Sequence, residues 1–370
     1  MIVRLAPFVV LALLVFAPAW AQDQPQPQPQ PAQSPDQSQA QPQPAQPSDQ
    51  SQTQPQPVPD QNPPAPEAEM PDAAGFPVFI QGFRQDALAQ GISAATLDRT
   101  LTAARFLPHV IELDRRQPEL TLTFQDYIDR VVTPDRIDAG RVKLIENKPL
   151  LDRVSARYGV QPQYIVALWG IETNFGHSTG SYSVISALAT LAYEGRRATF
   201  FRKELINALI MVDQRHVDPR AMTGSWAGAM GESQFMPSSF LAYAVSWKGG
   251  AAPDIWHKRE DVFASIANYL AQAGWHGDQG WGIAVALPPN FDASLVGLSQ
   301  KKSLNDWAVM GLTQSSGAAL PDLSLNAALI EPAGADGPAF LVFDNFRAIL
   351  KWNNSSFFAT AVGYLADGID

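Results

Sequence analysis

The stretch PQYIVALWGIETNFG, residues 162–176, sets a single carboxylate, Glu172, in a run of apolar side chains. Pro162 suits the first turn of a helix and Gly176 suits a position just past its end, so the stretch predicts one helix. Spacings of three and four residues place five side chains on one face of that helix: Ile165, Leu168, Trp169, Glu172 and Phe175. We therefore expect Glu172 on the face that meets the core or lines a cleft, away from the solvated side.

An acid in that position has two interpretations. Burial raises the pKa of a carboxyl group, and a glutamic acid that stays protonated near neutral pH can serve as a general acid. The alternative is a buried glutamate that pairs with an arginine for structural reasons. Periodicity alone favours neither interpretation.

A second informative segment is GSWAGAMGESQFMPSSF, residues 224–240. Its glycines allow the backbone to approach a ligand closely, and Ser225 and Gln234 are uncharged hydrogen-bonding groups that suit sugar hydroxyls and N-acetyl groups. The alternative is a tight structural turn, because glycine and serine favour turns in any protein. Pro237, followed by two serines, predicts the start of a further helix.

Helical periodicity dominates from Phe76 onward, which predicts a mainly α (α+β) fold. Strand patterns are weaker and come late in the chain, in GIAVAL, AALIEP and AFLVF, so we expect a small β insertion near 282–343. No GxGxxG or Walker-type loop occurs, and a nucleotide cofactor is not expected. Further helices are predicted over 121–131, 137–157, 184–193, 197–212, 261–275 and 345–366.

The first 72 residues differ from a folded domain. A positively charged start, the apolar run 8–17 and an A-x-A site predict a signal peptide over 1–21 and export to the periplasm. The run is short for a membrane span, so a stable anchor is not expected. Residues 22–72 alternate proline and glutamine, which predicts an extended, disordered linker before a single domain over 73–370.

Charge and cysteine content exclude several classes of function. The net charge of −10 argues against a nucleic-acid-binding protein, which would carry a basic face. The absence of cysteine rules out disulfides and thiolate metal sites. The histidines lack HExxH spacing, so no metal centre is predicted.

Five long stretches together resemble the membrane-bound lytic transglycosylase B family of bacterial murein-degrading enzymes. The resemblance covers essentially all of 76–369 and implies a lysozyme-like helical core with a flanking helical domain and a small β domain. It also implies cleavage of the β-1,4 bond between N-acetylmuramic acid (MurNAc) and N-acetylglucosamine (GlcNAc) in peptidoglycan, with formation of 1,6-anhydro-MurNAc ends. The stretches are VIELDRRQPELTLTFQDYIDR, YIVALWGIETNFG, ISALATLAYEGRRATFFRKELINALI, GSWAGAMGESQFMPSSFLAYAV and FLVFDNFRAILKWNNSSFFATAVGYLADGI.

The same resemblance implies roles for individual residues. Glu172 matches the single catalytic acid and base of the family, and Ser225 matches a serine that hydrogen-bonds around it. Arg196 and Arg197 match a paired-arginine site near the peptide or sugar substituents. The remaining matches are to residues of the glycan cleft: Gln234, Tyr127, Tyr269 and Asn353.

The sequence departs from the family pattern at two places. Many relatives carry a calcium-binding loop where this chain has SWKGGAAPDIW, 246–256, whose one carboxylate is Asp254, so we expect calcium to be lost or bound very weakly and no cofactor to be needed. Asn354 replaces an arginine that is common in relatives. Glu232 lies at a variable position, and we expect it at the rim of the cleft and not as a second catalyst.

A single carboxylate suits the anhydro-forming reaction. Ordinary glycosidases use two carboxyl groups, whereas here the substrate's own C6 hydroxyl would act as the nucleophile. The rival functions are a hydrolytic muramidase and a non-catalytic wall-binding scaffold. The expected partner is the glycan strand of peptidoglycan, bound by a monomer.

Overall fold

The computed structural model describes residues 70–115, 122–250 and 252–370. The predicted signal peptide and nearly all of the predicted linker lie outside these described residues. None of the described helices has the length and apolar character that crossing a membrane requires.

The fold is mainly helical, as predicted, with fourteen α-helices in the described ranges. In chain order they are α1 Phe76–Ala89, α2 Ala94–Thr100, α3 Pro108–Arg115, α4 Phe124–Val131, α5 Pro134–Glu146, α6 Lys148–Tyr158, α7 Pro162–Thr173, α8 Val184–Glu194, α9 Ala198–Asp213, α10 Pro237–Tyr243, α11 Arg259–Gln272, α12 Leu304–Val309, α13 Asp344–Trp352 and α14 Ser356–Ile369.

Helix α7 lies at the centre of the helical body, where it contacts α5, α6, α11 and α14. Every residue from Tyr164 to Thr173 is buried. The expectation of one buried and one solvated face was therefore wrong, because the small and apolar residues between the predicted stripe positions also meet neighbouring helices. A helix that is apolar on all sides belongs in the interior of a protein, and Glu172 is a polar exception within it.

The end of α7 is a tight left-handed turn. Asn174, Phe175 and Gly176 have φ values of 49°, 58° and 83° in succession. The turn folds the Phe175 ring back onto the helix, so this side chain is not part of the helical face predicted for it. A Cβ on Gly170 would lie 2.7 Å from the ring, which explains a glycine in the helix interior.

Two of the predicted helices are each divided into two, and a third starts later than predicted. The predicted helix 137–157 is two helices, α5 and α6, which meet at Asn147 because Pro149 can occupy only the first turn of a new helix. The predicted helix 345–366 is likewise two helices, with extended backbone at Asn353 and a new N-cap at Ser355. Thr123 caps α4, which therefore starts at Phe124 and not at residue 121.

The late part of the chain forms a five-stranded antiparallel sheet in the order β4-β6-β7-β3-β5. The three predicted strands are confirmed as β3, β6 and β7. The sequence did not reveal β4 and β5, because both are short edge strands with polar residues. A separate pair, β1 with β2, joins the start of α8 to the glycine-rich segment. The strands are β1 Tyr182–Ser183, β2 Thr223–Gly224, β3 Gly282–Ala286, β4 Lys301–Ser303, β5 Thr313–Gln314, β6 Asn326–Ile330 and β7 Ala339–Val342.

The central strands of this sheet are covered on both faces. Leu329 and Leu341 pack into a small core around Trp307 of α12. Phe340 and Val342, on the opposite face of β7, pack into the large core of the helical body. Burial on both faces explains why these strands read as continuous apolar runs instead of alternating patterns.

Candidate active site

Glu172 lies in the last turn of α7 with 9 % of its surface exposed. Its Oε1 accepts a hydrogen bond of 2.8 Å from Nε1 of Trp352, the last residue of α13. No charged group of the described residues acts on it strongly enough to shift its pKa. The alternative of a glutamate paired with an arginine was therefore wrong, since the partner is an uncharged indole.

Burial raises the pKa of Glu172 to about 8, and the hydrogen bond from Trp352 opposes that rise. Loss of water destabilises the carboxylate, whereas an indole N–H can only donate and so stabilises it. The side chain is consequently protonated at neutral pH. It can give up its proton, and the resulting carboxylate has a donor in place.

Glu172 forms part of the wall of a small pocket of about 40 Å³, which admits one small group of a ligand. Three of the predicted site residues are brought together with it, namely Gln234, Tyr269 and Asn353. Among the described residues that line this pocket, Glu172 is the one carboxylate. The lining consists of Glu172, Gln234, Phe235, Met236, Ser239, Tyr269, Trp352 and Asn353.

Gln234 reaches the pocket from a tight loop in the glycine-rich segment. Its backbone is left-handed, with φ of 49°, and its Nε2 donates to the carbonyls of Gly231, at 2.9 Å, and Thr179, at 3.2 Å. Gly231 also has positive φ, and a Cβ there would lie 2.5 Å from the carbonyl oxygen of Ile255. The segment is thus a structural turn, as one interpretation predicted, and it also forms a wall of the pocket.

The Tyr269 hydroxyl donates to the carbonyl oxygen of Lys351, just before the break between α13 and α14. Its ring centroid lies 4.7 Å from that of Trp352 and 5.9 Å from that of Phe235. These contacts hold the end of α13 in place. They thereby fix Trp352 against Glu172 and set Asn353 in the pocket wall.

Ser225 is buried near the site without lining the pocket. Its Oγ accepts a hydrogen bond of 3.1 Å from the backbone N–H of Ala229, which braces the loop that follows. Tyr127 of α4 is also buried outside the pocket lining, with its ring 5.8 Å from that of Phe357. In the structure, Ser225 is thus bonded within its own loop, and Tyr127 packs against Phe357.

Arg196 and Arg197 lie elsewhere, between α8 and α9. Both guanidinium groups form ion pairs with the buried carboxylate of Asp114 in α3. Arg197 also stacks 4.7 Å above the ring of Phe201, whereas about half of the Arg196 side chain remains exposed. They do not line the pocket around Glu172.

Sequence reasoning missed two parts of this site. Trp352 was not singled out, although it stands beside Asn353 in KWNNSS, which was the one available signal. Glu232 was expected at the rim, and that was wrong, because it is 8 % exposed and bonded to Trp169 and Arg259. Phe235, Met236 and Ser239 follow from the position of the Gln234 loop.

Comparison with known proteins places this fold and pocket in the class of lytic transglycosylases. The family model described as "Transglycosylase SLT domain" matches residues 75–367, so the chain belongs to this family. It is 32 % identical over 292 residues to the membrane-bound lytic murein transglycosylase B of Escherichia coli (strain K12), covering 75 % of this chain and 79 % of that protein.

Solved structures agree with this assignment. SltB3 from Pseudomonas aeruginosa, in complex with NAG-NAM-pentapeptide, is 46 % identical with a TM-score of 0.76, over 80 % of this chain and 79 % of that one. The E. coli lytic transglycosylase Slt35, in complex with calcium, is 31 % identical with a TM-score of 0.66, over 79 % of this chain and 92 % of that one.

Two carboxylates at the segment 246–261 accept hydrogen bonds from the backbone. The Asp261 carboxylate accepts the backbone N–H groups of Trp247 and Asp254, at 2.8 and 2.9 Å. Oδ1 of Asp254 accepts from the backbone of Trp256 and His257. In the described ranges no three His, Cys, Asp or Glu residues form a possible metal cluster.

Proposed function

We propose that this enzyme cleaves the β-1,4 MurNAc–GlcNAc bond of peptidoglycan and leaves 1,6-anhydro-MurNAc ends, with Glu172 as general acid and then general base. The observation that carries this proposal is the buried position of Glu172, the one carboxylate among the described residues that line its pocket. One group can serve both steps, because the first step leaves it in the form that the second step needs.

In the first step Glu172 donates its proton to the glycosidic oxygen as the bond from that oxygen to C1 of MurNAc breaks. The leaving GlcNAc hydroxyl carries the proton away, and positive charge develops at C1. The carboxylate that forms keeps its hydrogen bond from Trp352. That bond stabilises the charge at the moment it appears, without any reorganisation of the site.

In the second step the Glu172 carboxylate takes the proton from the C6 hydroxyl of the same MurNAc residue, and O6 attacks C1. The new C1–O6 bond closes the anhydro ring and Glu172 is again protonated. No water is consumed, and the attack is intramolecular, which gives it a large advantage in effective concentration. A second enzymatic carboxylate is not required.

The amide side chains of Gln234 and Asn353 are suited to hydrogen bonds with N-acetyl and hydroxyl groups at this pocket, and the Tyr269 ring to stacking. Ser225 supports the glycine-rich loop through its bond from Ala229, and Tyr127, which the family resemblance assigns to the glycan cleft, packs outside the pocket. The half-exposed Arg196, together with Arg197, is suited to an anionic group on the peptide that MurNAc carries.

The proposed substrate agrees with ligands of a neighbour: SltB3 was solved with NAG-NAM-pentapeptide and with NAG-anhNAM-pentapeptide. The proposed compartment is the periplasm, as the N-terminal sequence suggests. We further propose that the enzyme works as a monomer without calcium.

Mass spectrometry of digested sacculi tests the reaction. The wild type should release fragments whose ends are lighter by one water than hydrolysed ends, and Glu172→Gln should release none. Glu204→Gln is a matched control, because it alters another buried carboxyl, on α9, that does not line the pocket. Hydrated ends from the wild type would show a muramidase, and binding without any product would show a scaffold; either result contradicts the proposal.

A further inference from the structure

A second buried glutamate, Glu232, belongs to a closed cluster of three side chains. Its Oε2 accepts a hydrogen bond of 2.8 Å from Nε1 of Trp169 and lies 3.4 Å from Nε of Arg259. The Arg259 guanidinium stacks 4.2 Å from the centroid of the Trp169 ring. Each of the three side chains thus contacts the other two, and the carboxylate has both a donor and a counter-ion.

The backbone of Glu232 is fixed to the same helix. Its carbonyl oxygen accepts a hydrogen bond of 3.0 Å from Oγ1 of Thr173, and its N–H donates to the carbonyl of Ile255 at 2.8 Å. Trp169 and Thr173 lie one turn apart in α7, on the flank next to Glu172. Glu232 therefore holds the turn that carries the catalytic acid at two points.

Space around the cluster is fully used. A Cβ on Gly176, just after the left-handed turn, would lie 2.6 Å from Oε2 of Glu232. Gly176 has φ of 83°, so both its conformation and its lack of a side chain are needed. The carboxylate thus packs directly against the chain that leaves α7.

The same residue belongs to the loop that forms the opposite wall of the pocket. Gln234, Phe235 and Met236 follow Glu232 in sequence and line the pocket together with Glu172. The position of this loop relative to α7 decides how far the substrate-contacting amide lies from the acid. Glu232 is the residue of the loop that bonds to α7 through both its side chain and its backbone.

We infer that Glu232, with Arg259 as its counter-ion, is a positioning residue that fixes the catalytic helix against the loop carrying Gln234. This inference rests on the proposed function of Glu172. Buried, directional bonds suit the task, because a small misplacement of a catalytic group costs much of its rate advantage. A neutral acceptor at this position would still serve Trp169 but would leave the Arg259 charge unpaired.

A double-mutant cycle tests this role, with kcat and KM measured on a soluble NAG-NAM oligosaccharide. Glu232→Gln should lower kcat about tenfold and change KM less than about twofold, because the acid is misplaced while most binding contacts remain. In a Gln234→Ala background the same substitution should lower kcat less than about threefold, since one partner of the positioned pair is already absent. Equal losses in both backgrounds would overturn the inference.

Two further variants separate positioning from stability. Phe83→Leu in α1 should lower the melting temperature without the loss of kcat, because it alters the core away from both walls. Thr173→Val removes one bond to Glu232 at nearly constant volume. It should lower kcat by less than Glu232→Gln does, with the same coupling to Gln234→Ala. A kcat that follows melting temperature in all variants would overturn the inference. A wild type that forms no anhydro product would instead overturn the proposed function.

Discussion

The surroundings of Glu172 and Glu232 offer two environments for the same side chain. The two residues are 9 % and 8 % exposed, and each accepts an indole N–H at 2.8 Å. They differ in the presence of a cation, since Arg259 lies beside Glu232 and the pKa of Glu172 shows no influence of a charge. Burial raises the pKa of both, and Arg259 opposes that rise at Glu232 alone. The counter-ion thus distinguishes the two glutamates. Glu172 can react as an acid, whereas Glu232, beside Arg259, can hold structure.

The largest expected effect comes from replacing Glu172, whose pKa shows no influence of a cation. Glu172→Gln should lower turnover about 10³-fold, because the general acid and base is lost. Its melting temperature should match the wild type below about pH 4.5 and exceed it at neutral pH, because there the unfolded wild type loses the Glu172 proton and the variant has none to lose. Activity assays measure the turnover, and thermal unfolding measures the melting temperature. Residual activity above a tenth of wild type would contradict the assignment of Glu172.

Removal of the cation itself should produce the next effect. Arg259→Met should lower the free energy of unfolding by about 3 kcal/mol at pH 8, because it leaves Glu232 charged and unpaired; we take the lower end of the range since Arg259 is partly exposed. The loss should shrink as the pH falls, because burial raises the pKa of Glu232 and removal of Arg259 raises it further, so the carboxyl takes up a proton and loses its charge. Urea unfolding over a series of pH values measures it, and a loss independent of pH would show that the pair is unimportant.

A smaller effect should follow from removing the donor at Glu172. Trp352→Phe keeps most of the ring that packs near Tyr269 and removes the N–H, which is worth about 2 kcal/mol to a charged acceptor. The pKa of Glu172 should rise above about 8, so the alkaline limb of the kcat profile should move up by about one pH unit. Trp307→Phe, in the small sheet core, is the matched control, and its profile should not move.

The smallest effect, taken per pH unit, is a slope of stability with pH. The carboxyl of Glu172 loses its proton near pH 4.5 in the unfolded chain and near pH 8 in the folded one. Between these values the native state binds more protons, so the free energy of unfolding falls as pH rises, by about 1.4 kcal/mol per pH unit. The difference between wild type and Glu172→Gln isolates this slope. A difference that does not vary with pH would place the pKa of Glu172 near its ordinary value.

Much of the fold could be predicted from local patterns. Helix α7 and strands β6 and β7 could be predicted, because an element that is buried on all sides consists of consecutive apolar residues. The breaks at Asn147 and Asn353 could not be read from periodicity, since the apolar spacing continues across them. The edge strands β4 and β5 could not be predicted, because a few polar residues can form the hydrogen bonds of an edge strand without any apolar pattern.

The candidate site divides in the same way. Glu172 and the Gln234 segment stand out locally, and the family resemblance supplied Tyr269 and Asn353. The partner of each glutamate could not be predicted, because Trp352 lies 180 positions from Glu172 and Trp169 lies 63 positions from Glu232. A contact over such distances leaves no pattern in a single sequence, and the fold alone brings the two residues together.

The complete burial of α7 also decides where this enzyme can change during evolution. A substitution in Tyr164–Thr173 alters a side chain that has neighbours on every side, so a gain in volume or a loss of it is felt by several elements. New specificities can therefore arise more readily at the half-buried residues of the pocket wall, such as Met236 and Ser239. The position of the acid is fixed by its helix, while these half-buried positions have fewer neighbours to disturb.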